Sequence, residues 1–495
     1  MRITRSISLL LCVLLIAAAA LAACSQDVST TSANNDGNTE ETVTSTEDTA
    51  EGTDAAAQDS RMAVSDDLPN KDFHGAKFRI FSKNGNDYEI YTEEANGEIL
   101  NDALYLRNMT VEERFNIEIV PVWTSAGTDD SRVVVRSVLA DSDDFDLAAT
   151  YVFRSGVLVT NRVYHNWLEM KYTNLEKPWW INSINNNFRI GGAIYTVVGD
   201  MCVSTLKLTY AVFFNKRLAK DLDLPDVYKT VYDNEWTIDY FIKSVRDIYA
   251  DSNGNGKSDS GDTFGFTAEA ITNLDMYLPA FGIPIIKQND AGVPELVMNT
   301  PKTITAVEKV NELYWGGSGS YIGNDCLDVF FGGRAVFFTT WMSRTFGELR
   351  EMEDDYGILP YPKFDASQEK YMSGAMDNYS VLGIPVTAPD AEMACIITEA
   401  LNAESYKQLF PAYYDTALKV KFVRDTESIA MLDIIMNGRN FDMCVLFSDD
   451  LGDVTFMFRS LVAAKSTDFI SRYEKVKSGA QSKLDKIIEI CTTKQ

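Results

Sequence analysis

Histidine is nearly missing from this chain of 495 residues, which contains only His74 and His165. Neither has a Cys or a second His at ligand spacing, so no zinc site can be read around them. No nucleophile elbow accompanies them either, which leaves a Ser-His-Asp triad without a motif. Cysteine gives no framework. Apart from Cys12 and Cys24 near the start, Cys202, Cys326, Cys395, Cys444 and Cys491 are far apart, odd in number and free of any CxxC. They read as buried small hydrophobes, not as a disulfide scaffold. Positive charge is scarce: 45 Lys and Arg stand against 72 Asp and Glu, a formal net charge of −27. Phosphate backbones need clustered basic residues, so nucleic acid is excluded as a partner class. The chain also lacks a GxxxxGK[ST] loop, an internal repeat and an eightfold strand-helix series, which argues against a nucleotide-hydrolysing P-loop, a solenoid and a barrel.

What is present begins at the N-terminus. MRITRS is basic, ISLLLCVLLIAAAALAA is apolar and ends in small residues, and the chain then turns abruptly polar. This is the three-part pattern of a secretory signal, predicted over residues 1–23. Leu21-Ala22-Ala23-Cys24 resembles the lipobox of bacterial lipoproteins, which implies a lipid on Cys24 after cleavage. The alternative is an uncleaved membrane anchor, since the run is nearly long enough to span a bilayer. Residues 24–67 are rich in Ser, Thr, Asp and Glu with little to bury, and read as a disordered acidic tether.

From Leu68 onward strands alternate with helices. KFRIF (77–81), IEIVPV (117–122) and FDLAATYVF (145–153) are separated by helical stretches, the pattern of an α/β domain with a parallel sheet. A second set follows: AIYTVVG, KLTYAVFFN, a helix capped by Thr237, TFGFTAE, a helix opened by Thr300-Pro301, AVFFTTW, YGILPYP and YSVLGIPV, with a mostly helical end.

Between the Thr237 helix and TFGFTAE lies DSNGNGKSDSGD, residues 251–262. Asp251, Asn253, Asn255, Asp259 and Asp262 supply side-chain oxygens at positions 1, 3, 5, 9 and 12. Lys257 supplies a backbone carbonyl at position 7 and Gly256 the sharp turn. The spacing points to a structural calcium ion of weak affinity, on the order of 10⁻⁴ M, because position 12 is Asp instead of a bidentate Glu. The bland alternative is a polar Asn-Gly turn.

The order of lipobox, acidic tether, strand, LEKPWWINSINNNFRIGGAIYTVVGD, LTYAVFFNKRLAKDLDL and WTIDYFIKSVRDIYADSNGNGKSDSGDTFGF resembles the extracellular solute-binding lipoproteins of bacterial ABC importers, in the maltose-binding-like, family 1 sugar-binding branch. ILPYPKFDASQEKY, GIPVTAPDAEMACIITEAL and KFVRDTESIAMLDII continue it over the whole mature chain. The resemblance implies an α/β, two-lobed periplasmic-binding-protein-like fold of type II, with crossing hinge strands. Lobe I is expected from 68–206 with 388–445, and lobe II from 207–387 with 446–495. LTYAVFFNK would carry the chain across and YSVLGIPVTA back. It also implies a non-enzymatic monomer, lipid-anchored at the outer face of the cell membrane, that captures a carbohydrate, an oligosaccharide above all, in an inter-lobe cleft and passes it to the permease subunits. The competing readings are a surface-anchored glycoside hydrolase and a binder of peptides or another solute.

Sugars offer flat C–H faces and hydroxyl rims, so a site for them needs aromatic platforms and convergent polar groups. By position in the family pattern the candidates are Tyr151 and Arg154 at the end of FDLAATYVF, Trp179 in KPWW, and Asp200 ending GGAIYTVVGD. Asp275 in AITNLD, Trp341 ending AVFFTTW, and Asn378 and Tyr379 before the return strand complete the set.

Overall fold

A computed structural model describes residues 60–422 and 424–493, all within one compact unit spanning Asp54–Gln495. The signal over 1–23, Cys24 and the tether up to residue 59 lie outside the described residues. Among the described residues twelve strands follow in chain order. The first six are β1 (Ala76–Lys83), β2 (Ile117–Thr124), β3 (Leu147–Tyr151), β4 (Tyr210–Asn215), β5 (Tyr249–Ala250) and β6 (Thr263–Ala268). Then come β7 (Ile286–Gln288), β8 (Pro294–Leu296), β9 (Ser320–Ile322), β10 (Ala335–Trp341), β11 (Tyr356–Leu359) and β12 (Ser380–Gly383).

They form two main sheets and a hairpin. The first sheet has the order β12-β3-β1-β2, with β1 parallel to both neighbours and β12 antiparallel to β3. Of its two interior strands, β3 is buried at every residue, as expected where both faces are covered, while β1 alternates buried Phe78 and Ile80 with partly exposed residues at its start. β2 carries an exposed Glu118 and a proline, Pro121. Proline cannot donate to a ladder, which suits an edge position. The second sheet has the order β11-β4-β10-β6-β5, with β9 also pairing β6 and β4 antiparallel to both neighbours. β7 and β8 pair only with each other.

Local signals set the helix starts. Thr237 accepts a hydrogen bond from the Tyr240 N–H at 3.3 Å, and Thr300 from that of Thr303 at 3.2 Å, with Pro301 in the first turn. Both caps satisfy N–H groups that a helix cannot pair internally. The helix Ala391–Glu404 is buried on nearly every side and packs on the helix Ile99–Phe115. Cys202, Cys326, Cys395, Cys444 and Cys491 are free and buried, as their spacing suggested.

The expected domain boundaries shift. β4 lies wholly in the second sheet, so the chain crosses before it, at residues 204–209. β12 belongs to the first sheet, so the return crossing also precedes it and residues 380–387 move to lobe I. The helix Thr426–Asn437, expected in lobe I, packs on β11 of the second sheet; the Ser428 hydroxyl accepts from the Ile358 N–H at 3.0 Å. Ordered packing also starts before Leu68. Arg61 stacks over Tyr406 and Phe410 at 5.4 and 5.5 Å, and Lys177 donates to the Ser65 carbonyl at 2.7 Å. These are cation–π and charge-assisted contacts that composition does not reveal.

Candidate functional site

Three chain segments run side by side between the sheets. Tyr210 N–H donates to the Gly374 carbonyl at 3.0 Å and Met376 N–H to that of Leu208 at 2.9 Å, which pairs the outward and return crossings. Ser373 pairs with a third segment: its N–H donates to Gly438 and its carbonyl accepts from Asn440 at 2.9 Å. Glu89, fully buried beyond β1, accepts from the Ser204 N–H at 2.9 Å and from the Ser380 hydroxyl, tying both crossings to the first sheet.

Against these segments opens a cavity of about 340 Å³. The loop after β6, the approach to β7, the return crossing and the third segment line it, with Asn187 and Phe456 from either side. Its walls are mostly apolar, with Met276, Met372, Met376, Phe441 and Phe456 among them. Three carboxylates face it: Asp275, Asp377 and Asp442. Asp442 accepts from the N–H groups of Ile285, Ile286 and Cys444 at 2.6, 3.2 and 2.9 Å. It is therefore occupied in holding its own loops. Asp275 pairs with Arg459 at 2.7 Å, and the guanidinium also lies 4.1 Å over the Phe456 ring. Burial pushes the Asp275 carboxyl up to about 8, with Arg459 pulling the other way and the Asp377 charge adding to the rise. Burial also raises Asp377, again opposed by Arg459.

Of the residues expected in the site, Asp275 lines this cavity. Arg154 does not line it: it pairs with Asp449 at 2.9 Å and stacks on Phe153, whose ring lies 6.1 Å from that of the lining Phe456. Its φ of +66° is one that few side chains adopt. Asn378 is the partly exposed neighbour of the lining Asp377 and does not itself line the cavity. Trp341 is one layer back, packing edge-on against Tyr210 at 5.8 Å; the Tyr210 hydroxyl meets that of the lining Thr272 at 2.7 Å.

The other four are buried and are not among the lining residues. Tyr151 is buried under the Lys83 ammonium, 3.7 Å from its ring centre. Tyr379 is buried and supports Phe441 edge-on at 5.4 Å. Trp179 lies in the core, where its indole N–H and that of Trp180 both donate to Glu399, at 2.8 and 3.1 Å. Asp200 is 8% exposed, near Arg439, and its carboxyl is pushed up to about 7 by burial. In each case the surrounding helices bury a residue whose position in the strand order had suggested the cleft.

Phe441, Phe456, Asp377 and Arg459 are the lining and supporting residues that sequence reasoning missed. Phe456 and Arg459 sit in FMFR, where helical spacing reads as core, so only the third crossing and the returning C-terminal helices bring them here. Asp377 is adjacent to the expected Asn378, one residue off because strand alternation does not fix which neighbour faces a cleft.

Buried carboxylates set a pH dependence. Asp130, Asp200 and Glu399 are each raised to about 7 by burial. Their folded values exceed the unfolded ones, so the native state binds more protons and stability falls as pH rises from about 4 to about 7. Salt-bridged groups such as Asp354, held low by Arg217, act oppositely below about pH 4. The melting temperature should therefore peak near pH 4; thermal scans from pH 3 to 9 that climb to a plateau above pH 8 would contradict this.

The loop of residues 251–262 is exposed over 251–258, buried at Asp262, and folded on itself. Asp251 accepts from the N–H groups of Asn255 and Gly256, at 3.2 and 2.9 Å. Asp259 accepts from the Asn253 and Asn255 amides at 2.8 and 2.7 Å, and Asp262 from Tyr249 and Ser252. Gly254 and Gly256 have φ of +70° and +73°. The donor set suits a hard cation, but among the described residues no three His, Cys, Asp or Glu groups stand together as a metal site. The carboxylates are held by hydrogen bonds that a cation would have to replace.

No family model matches the chain. No curated protein matches it either. Solved structures do. A cyclo/maltodextrin-binding protein complexed with maltotetraose aligns with a TM-score of 0.54 and 13% identity, over 85% of this chain and 99% of that one. A sugar transporter from Rhizobium etli in an open conformation aligns at 0.52 and 12%, over 85% and 100%. The GacH receptor of Streptomyces glaucescens, solved unliganded and with acarbose, aligns at 0.51 and 9%, over 85% and 100%. At such identities a likeness speaks to architecture, and the architecture of this chain is the two-lobed α/β fold of these binding proteins.

Proposed function

We propose that this protein is a solute-binding component of an ABC importer, in the maltose-binding-like sugar branch. It captures a carbohydrate between its lobes and delivers it to a permease, with Cys24 carrying the lipid that keeps it at the outer membrane face. The observation that carries the reading is the cavity of about 340 Å³ set against paired crossing segments. Residues from both sides of the crossings meet there, so a ligand in contact with both favours the closed arrangement over the open one, and closure follows from that difference in affinity. The oligosaccharide-bound neighbours of the same fold support the ligand class. They also favour binding over hydrolysis.

Binding to the native state alone adds RT ln(1 + [L]/Kd), about 2.7 kcal/mol at a hundredfold excess over Kd. A member of a mono- and oligosaccharide panel should therefore raise the melting temperature of the chain, and Phe456→Ala should abolish the rise. A panel that leaves melting unchanged while the protein releases sugar from a polysaccharide would replace this reading with the glycoside hydrolase.

The same reading includes calcium in the 251–262 loop as a staple joining helix to strand. Asp251, Asn253, Asn255, Asp259, Asp262 and the Lys257 carbonyl would hold it once Asp259 gives up the Asn amides. Millimolar calcium should raise the melting temperature of the chain, and Asp262→Asn should remove that response. Equal melting with calcium and with chelator would leave the loop as an Asn-Gly turn.

A further inference from the structure

Charge in the cavity is unbalanced. Asp442 is committed to three backbone N–H groups, and Lys287, though it lines the cavity, is exposed to solvent. The other two lining carboxylates are Asp275 and Asp377; Arg459, which is not among the lining residues, is engaged with Asp275. Among the described residues the Asp377 carboxylate has no ion-pair partner; it accepts from its own backbone N–H and feels Arg459 only at a distance. A surplus carboxylate between apolar walls is costly, and a cation offsets that cost better than a hydroxyl can. The walls themselves depart from a platform for neutral rings. Among the described residues, neither Trp nor Tyr lines the cavity, while Met276, Met372 and Met376 do. Thioether side chains adapt to a ligand's shape and do not select a flat face.

We propose that the ligand carries a protonated amine that rests against Asp377 beside the Asp275–Arg459 pair, making it an amino sugar instead of a neutral one. This rests on the saccharide reading above. The amine supplies the missing positive charge, Phe441 and Phe456 cover a ring face, and the methionines close around the remainder.

Titration calorimetry on the chain tests this with four probes: glucosamine oligomers with free amines, their N-acetylated counterparts of equal length, malto-oligosaccharides, and spermidine. The free-amine oligomer should bind about tenfold more tightly than its acetylated form, the scale of one charge-assisted hydrogen bond. Asp377→Asn, shown by circular dichroism to fold, should bring the two to parity. Equal or tighter binding of the acetylated or malto-oligosaccharides overturns the amine and leaves the sugar reading standing. Spermidine bound while every saccharide fails overturns the sugar reading and keeps the cation site. No binding by any probe overturns both, and discrimination that survives Asp377→Asn removes Asp377 from the role.

Discussion

Arg459→Ala should destabilise the protein by about 2–4 kcal/mol at pH 7.5 and abolish ligand binding, because it removes the one guanidinium beside two carboxylates in a closed space. The side chains of Arg459 and Asp275 are each 21% exposed, which places the loss below that of a fully buried pair. Each carboxyl is already raised by burial. Without Arg459 both rise further above their unfolded values, so the penalty is absent below about pH 4 and grows as pH climbs. Urea unfolding at pH 5 and pH 8 should show the variant close to the parent at the lower pH and well below it at the higher. Adding Asp275→Asn should recover most of the stability without recovering binding. Equal losses at both pH values would mean that Arg459 acts through packing on Phe456 instead of through charge.

Glu399→Leu should cost about 3 kcal/mol, since it strands two buried indole N–H groups at once, each costing about 1–3 kcal/mol when left without an acceptor. The opposing gain is relief from burying a carboxyl. Because that carboxyl is raised to about 7, the relief is small at pH 5, where the carboxyl is protonated, and grows as pH rises toward 7, so the full loss is expected at pH 5. Glu399→Gln keeps an acceptor oxygen and should lose much less. Chemical denaturation of the two variants should rank Leu well below Gln; the reverse order would show that Trp179 and Trp180 are held by packing alone.

These two residues mark where sequence reading stops. KPWW was legible as an aromatic cluster, and its burial was not: Glu399 lies 220 positions from Trp179, and no local pattern pairs them. Arg459 meets Asp275 across 184 positions for the same reason. Helical periodicity reports that one face is covered, never by what.

The sequence by itself determined the alternation of strands and helices that makes the chain α/β, the caps at Thr237 and Thr300 and the buried cysteines, because each rests on local periodicity or on hydrogen bonds a few residues apart; the two lobes were expected only from the family resemblance. Tertiary structure alone decided which expected residues face the cavity. It sent Trp179, Asp200, Tyr151 and Tyr379 inward, left Asp275 on the wall, and brought Phe441, Phe456, Asp377 and Arg459 to join it. It also placed the crossings just before β4 and β12. The physical reason is that a cleft is made where distant segments meet, and the side chain that faces it is fixed by the partner packed behind it.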